Sequence, residues 1–152
     1  MAELGDILSS GDIDEIVLDG DKTVWHEGNR TFDHTIVAGV DVLTTDPDWT
    51  DLLTLTTPSR DVGLYALSFS LQFHLNSTSQ AFLYRFSLDG GATWGLDYEK
   101  EVKDRHNTEV IEVFDILELG ADAVIDLRVQ VTREADAACQ VIKAIIACER
   151  KA

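Results

Sequence analysis

From residue 65 to residue 75, a large apolar side chain stands at every second position. Tyr65, Leu67, Phe69, Leu71, Phe73 and Leu75 alternate with Ala66, Ser68, Ser70, Gln72 and His74. Successive side chains of a β-strand point to opposite faces, so the run predicts a long strand with one buried and one polar face. The period returns in Phe82, Tyr84, Phe86 and Leu88 against Leu83, Arg85 and Ser87. It returns again in Ile125, Leu127, Val129 and Val131 against Asp126, Arg128, Gln130 and Thr132. The last run, 139–148, is apolar on both faces. Simple alternation puts Ile142, Ala144, Ile146 and Cys148 on one side, with Val141, Ile145 and Ala147 on the other. A strand of that kind lies centrally in a sheet or inside a subunit contact. The four residues Ile142, Ala144, Ile146 and Cys148 are therefore the candidate subunit interface.

Weaker strands are expected at 23–26, 35–42, 52–57, 93–98 and 109–117. Turn signals separate them, among them Asp46-Pro47-Asp48, Pro58-Ser59-Arg60-Asp61 and Asp89-Gly90-Gly91. Spacings of about 8–12 residues between such signals point to an all-β fold, an antiparallel β-sandwich. No segment sustains a helical period, and only 2–9 could form a short helix. The opening residues are acidic and broken by glycine. Residues 1–22 are expected to form an N-terminal arm and 23–152 the sandwich domain. A frayed terminus is the plain alternative. Ile13, Ile16, Val17 and Leu18 favour an arm that orders against a neighbouring surface, because in solvent their apolar area would go unused.

The chain of 152 residues can bury a core without staples. Its 28 acids against 12 bases give a net charge of -16, and the first 60 residues hold 13 of the acids and 3 of the bases. Such a chain repels phosphate backbones and anionic membrane surfaces, so nucleic acid and membrane are not expected partners. The charge serves either solubility or attraction to a basic partner. No basic region precedes an apolar stretch at the N-terminus, and no apolar run reaches the length of a membrane span. Cys139 and Cys148 fall in one expected strand, roughly 30 Å apart at about 3.3 Å per residue. They read as two buried thiols rather than a disulfide. Asn29 and Asn76 head Asn-x-Thr/Ser sequons, which without a signal peptide read as coincidence.

One local motif stands out. Ser87-Leu88-Asp89-Gly90-Gly91-Ala92-Thr93-Trp94 matches the Asp-box, Ser-x-Asp-x-Gly-x-Thr-Trp, at Ser87, Asp89, Gly91, Thr93 and Trp94. The motif resembles a hairpin device repeated in sialidase-like propellers. Asp89 can accept backbone N–H groups across the turn, Gly91 permits positive φ, and Trp94 can cover the hairpin. It predicts an antiparallel hairpin joining 82–88 to 93–98. A propeller needs at least four blades of about 40–50 residues, so one copy here implies a structural role.

Little else suggests chemistry. His26, His34, His74 and His106 show no zinc-ligand spacing. The acids at Asp12, Asp14, Glu15, Asp19 and Asp21, and at Asp46, Asp48 and Asp51, lack the EF-hand order and read as solvated loop acids. No serine sits in a nucleophile elbow, and there is no phosphate-cradling glycine loop. The expectation is a protein without catalytic residues, metal or cofactor. Trp25, Trp49 and Tyr98 lie near strand ends, where an aromatic ring packs over the sandwich or anchors a partner.

The run Gly63-Leu64-Tyr65 opening a long alternating strand, the Asp89-Gly90-Gly91 hairpin and the two final strands together resemble a known class. It is the trimeric jelly-roll module of tailed-phage virions, found as capsid decoration (cement) proteins and in fibre or spike tips. The Gly-x-Tyr strand is also similar to the trimeric jelly roll of the tumour-necrosis-factor type. The resemblance covers roughly residues 50–150. It implies a homotrimer that binds the major capsid protein or another virion protein and stabilises the assembled shell, after assembly in the host cytoplasm. It also implies an alternative, a receptor- or glycan-binding module of a tail or fibre tip that works through loops at 76–80 and 98–107.

Overall fold

The computed structural model describes residues 15–18, 22–25, 32–134 and 136–151. Ten strands follow one another: β1 (Glu15–Leu18), β2 (Lys22–Trp25), β3 (Phe32–Asp41), β4 (Thr50–Arg60), β5 (Gly63–Leu75), β6 (Gln80–Ser87), β7 (Tyr98–Val102), β8 (Glu109–Leu119), β9 (Ala123–Arg133) and β10 (Cys139–Arg150). The described residues contain no helix. The possible helix at 2–9 lies outside them, as does Ile13.

The chain divides into two units, Met1–Phe32 and Asp33–Ala152. In the first, β1 and β2 pair antiparallel, with Ile16 opposite Val24, Val17 opposite Thr23 and Leu18 opposite Lys22. The second is an antiparallel sandwich of two four-stranded sheets, ordered β3-β10-β5-β8 and β4-β9-β6-β7. The alternating rows of the sequence become its interior. Tyr65, Leu71, Phe73 and Leu75 of β5 face Phe82 of β6 and Ile125, Leu127 and Val129 of β9 in one buried cluster. Phe73 and Phe82 stack with ring centroids 4.2 Å apart. Each such side chain contributes about 1.5–3 kcal/mol through removal of its apolar area from water.

β10 runs between β3 and β5, the central position that suits a doubly apolar strand. Its alternation is broken, however. The register against β5 slips between Val141 and Lys143, so Ile142 is an extra residue. The bulge reverses the facing of everything before it. Val141 therefore joins Ala144, Ile146 and Cys148 inside the sandwich, and Ile142 is pushed to the surface, 39% exposed.

Two further departures from the sequence reading come from local chemistry. The strand expected at 93–98 does not form. β6 pairs with β7, from Gln80 opposite Val102 to Tyr84 opposite Tyr98, and 88–97 form a long connecting loop. The hydrogen bonds of the Asp-box curl the chain back on itself before pairing can begin. The turn expected at Pro58 is instead part of β4. That strand is at a sheet edge, where the missing N–H of proline is tolerated, and its register against β9 shifts between Thr56 and Ser59.

Candidate interaction surfaces

The 88–97 loop is built by one carboxylate. Asp89 accepts from the Thr93 N–H (2.9 Å), the Thr93 hydroxyl (2.5 Å) and the Ser87 hydroxyl (2.7 Å). Ser87 Oγ in turn accepts from the Gly91 N–H at 2.8 Å. The Thr93 and Ser87 bonds hold the Asp89 carboxyl down at about 2. Gly90 and Gly91 have φ of 72° and 89°, in the region that side chains resist. A Cβ on Gly90 would also meet Asp126 Oδ2 at 2.7 Å. Trp94, the last residue of the motif, lies against Arg85 of β6. The Arg85 guanidinium is 4.8 Å from the Trp94 ring centroid and 4.2 Å from that of Trp49. Gln130 Oε1 accepts from Arg85 Nε and Nη2, and Gln130 Nε2 donates to Asp51 at 2.6 Å. The pair of indoles thus clamps a cation over the outer face of the β4-β9-β6-β7 sheet.

Because β7 stops pairing at Tyr98, the sandwich gapes between β8 and the 88–97 loop. The gap is a cavity of about 450 Å³. Phe69, Phe86 and Leu127 form its floor, and Trp94, Tyr98 and Phe114 stand around it. Tyr98 stacks one ring face on Tyr84, with centroids 5.4 Å apart. Asp115 and Arg128 bring opposite charges to the wall. This size and mixture, mostly apolar with a few polar groups, is that of a binding pocket.

The second surface is the outer face of the β3-β10-β5-β8 sheet. On β8, Phe114 and Ile116 are 77% and 60% exposed, and Val110 is also exposed. Across the register from them on β5 are Ser68 and Ala66, small residues. Beyond Ser68 comes Ala147 of β10, which is itself buried. Ile36 of β3, at the far edge, is exposed as well. An apolar row on β8 and Ile36 on β3 flank a bed of small side chains.

The residues singled out from sequence therefore scatter. Ala144, Ile146 and Cys148 belong to the subunit's own core, where a second copy cannot reach them, and of that group only Ile142 meets solvent. Bulging of β10 is the reason for the split. Ile16, Val17 and Leu18 lie on β1, while the His26 and Trp25 side chains and Asn29 fall outside what is described. His74 Nε2 is hydrogen-bonded to the Arg105 carbonyl. The expected loop at 98–107 begins as β7. Both cysteines are free and buried, with burial pushing Cys139 up to about 12 and Cys148 up to about 11. No cluster of His, Cys, Asp and Glu among the described residues could hold a metal ion. Sequence reasoning missed the exposed Phe114 and Ile116, although both stand out of phase with Ile111, Val113 and Leu117 in one alternating strand.

No family model and no curated protein matches the chain by sequence. Solved structures are similar in fold. The infectious bursal disease virus Gx strain structure superposes with a TM-score of 0.58 at 8% identity, covering 88% of this chain and 36% of that one. The chain thus spans about a third of that viral protein. The PRD1 vertex protein superposes with a TM-score of 0.52 at 17% identity, covering 99% of this chain and 90% of that one. Both likenesses are of fold.

Proposed function

We propose that this protein is a structural virion component, a homotrimer that seats on the assembled capsid and stabilises it as a decoration protein. The observation that carries the reading is the exposed apolar face of the β3-β10-β5-β8 sheet on a chain of net charge -16. Isolated exposed apolar residues are ordinary, but Val110, Phe114 and Ile116 stand in one row on a sheet face, and such a row marks an association surface. Ile36, Phe114 and Ile116 take the role that alternation alone assigned to Ala144, Ile146 and Cys148. Repetition of one such face around a closed axis gives a cyclic oligomer. The mechanism is passive: a protein that binds only the assembled shell stabilises it by mass action. The β1-β2 segment, with Ile16, Val17 and Leu18, is the proposed capsid-contacting arm. Similarity in fold to a virus particle protein and to a vertex protein supports the virion setting.

Quantitative mass spectrometry of purified particles tests the reading. Hundreds of copies per particle, in proportion to the shell protein, support decoration; none rejects it. A second reading, a glycan-binding tip module, is favoured by one observation, the aromatic-walled cavity beside Tyr98. It predicts a handful of copies and saturable binding of sugar.

A further inference from the structure

The four edge strands of the sandwich have no further partner strand among the described residues, and three of these edges are blunted. β3 carries Gly39 at φ 68°, β4 carries Pro58 and two register shifts, and β7 has only five residues. β8 differs. It pairs with β5 from Gly63 opposite Leu119 to Phe73 opposite Glu109 without a shift, and it contains neither proline, glycine nor lysine. Its outer edge has no partner strand among the described residues. The Ile116 N–H is bonded to Asp115 Oδ1 at 2.8 Å rather than to β5. In an antiparallel ladder the N–H and C=O of one residue point the same way, and alternate residues face alternate neighbours. The even-numbered positions of β8, including Glu112 and Phe114, therefore aim their backbone groups off the sheet.

Directly beside this edge lies the 450 Å³ cavity, with Phe114 and Asp115 at its wall. An unpaired strand next to a pocket is the arrangement by which a sheet takes up an extended peptide: backbone bonds hold it, and the pocket selects alternate side chains. The charge defines the peptide. β8 carries Glu109, Glu112, Asp115 and Glu118 and no base. Lys100 pairs with Glu109 at 3.7 Å, and no described residue forms an ion pair with the other three. A second copy of β8 would bring like charges face to face, which disfavours this chain as its own partner.

We propose that the β8 edge is a strand-addition site for an extended, basic segment of a partner protein, one of whose apolar side chains fills the cavity. Its basic residues lie along Glu112 and Glu118, on the face opposite the cavity. The inference stands apart from the virion reading and from trimer formation.

The test is amide NMR of the isotope-labelled full-length protein, titrated with the blocked peptide KVKFKVK and with its glutamate counterpart EVEFEVE. The lysine peptide is expected to shift β8 amides and the Trp94 indole, and to weaken as salt is raised. Glu112→Pro removes an edge N–H and is expected to weaken binding about tenfold, against about two- to fivefold for Glu112→Gln, which loses only charge. Glu112→Lys with Glu118→Lys, on exposed positions of the face opposite the cavity, is expected to reverse the preference between the two peptides. That variant keeps the test decisive if the proline one fails to fold. Equal binding of both peptides, shifts confined to another face, or no shift by either peptide overturns the proposal. So does a Trp94 and Tyr98 response to the neutral sugar maltohexaose but not to KVKFKVK. Sedimentation of the same samples reads self-association separately, so its failure is not confused with failure at the edge.

Discussion

Val141 and Ala144 both point into the sandwich although three positions separate them on one strand, because Ile142 bulges out of register between them. A regular strand would have placed them on opposite faces. The relationship reverses the expectation for Val141 and Ile142 at once.

It gives a direct contrast between adjacent residues. Val141→Asp puts an unpaired charge at a fully buried position and is expected to abolish folding, since several kcal/mol is on the order of the whole stability. Ile142→Asp falls on a surface position and is expected to stay within about 0.5 kcal/mol of the parent. Urea denaturation of the two variants measures both. An Ile142→Asp protein that failed to fold would place that side chain inside after all.

Phe114 and Ile116 are the second pair to alter. Both are exposed on the single chain, so Phe114→Ser with Ile116→Ser is expected to leave the chain folded, to reduce the sedimenting mass from that of the proposed trimer to monomer, and to make the unfolding midpoint independent of protein concentration. Unchanged mass would remove this face as the subunit contact.

Acid should loosen the 88–97 loop before the core. The hydroxyl and N–H of Thr93, followed by the Ser87 hydroxyl, depress the Asp89 carboxyl from 3.8 to about 2. A depressed carboxyl contributes stability that is complete above its unfolded value and is lost as the pH falls through the folded value. The loop's contribution is therefore expected to fade between about pH 4 and pH 2. Asp89→Asn should remove that dependence, read from the amide shifts of Gly91 and Thr93 against pH. A loop equally acid-sensitive in Asp89→Asn would assign the effect elsewhere.

The two thiols should be silent. Burial raises both well above neutrality, so at pH 8 neither Cys139 nor Cys148 is expected to react with a thiol reagent until the protein unfolds. Rapid labelling of either under native conditions would mean that the end of β10 containing it opens readily.

Alternation alone carried the reading to Tyr65–Leu75 and 125–131, because a strand with one wet face writes its orientation into every residue. Phe69 and Leu127 are core for that reason. The same rule failed on 139–148. A strand apolar on both sides has no polar residue to mark its phase, so an inserted residue leaves no trace in the pattern. The Asp-box was legible as a hydrogen-bonded unit, since its partners lie within six residues of one another. How far it would delay the pairing of β7 was not legible, because that depends on where Tyr98 meets Tyr84.

What the sequence determined by itself is the class of fold, the inward rows and the local chemistry of one loop, all set by interactions between near neighbours in the chain. Tertiary structure alone decided which strands become edges, where β10 bulges, and that β8, beside a cavity, has no outer partner strand among the described residues. The physical reason is that period two specifies the face of each side chain but is silent about the neighbour on either side. Backbone pairing is shared by every strand, and only the packing of two whole sheets selects among the possible partners.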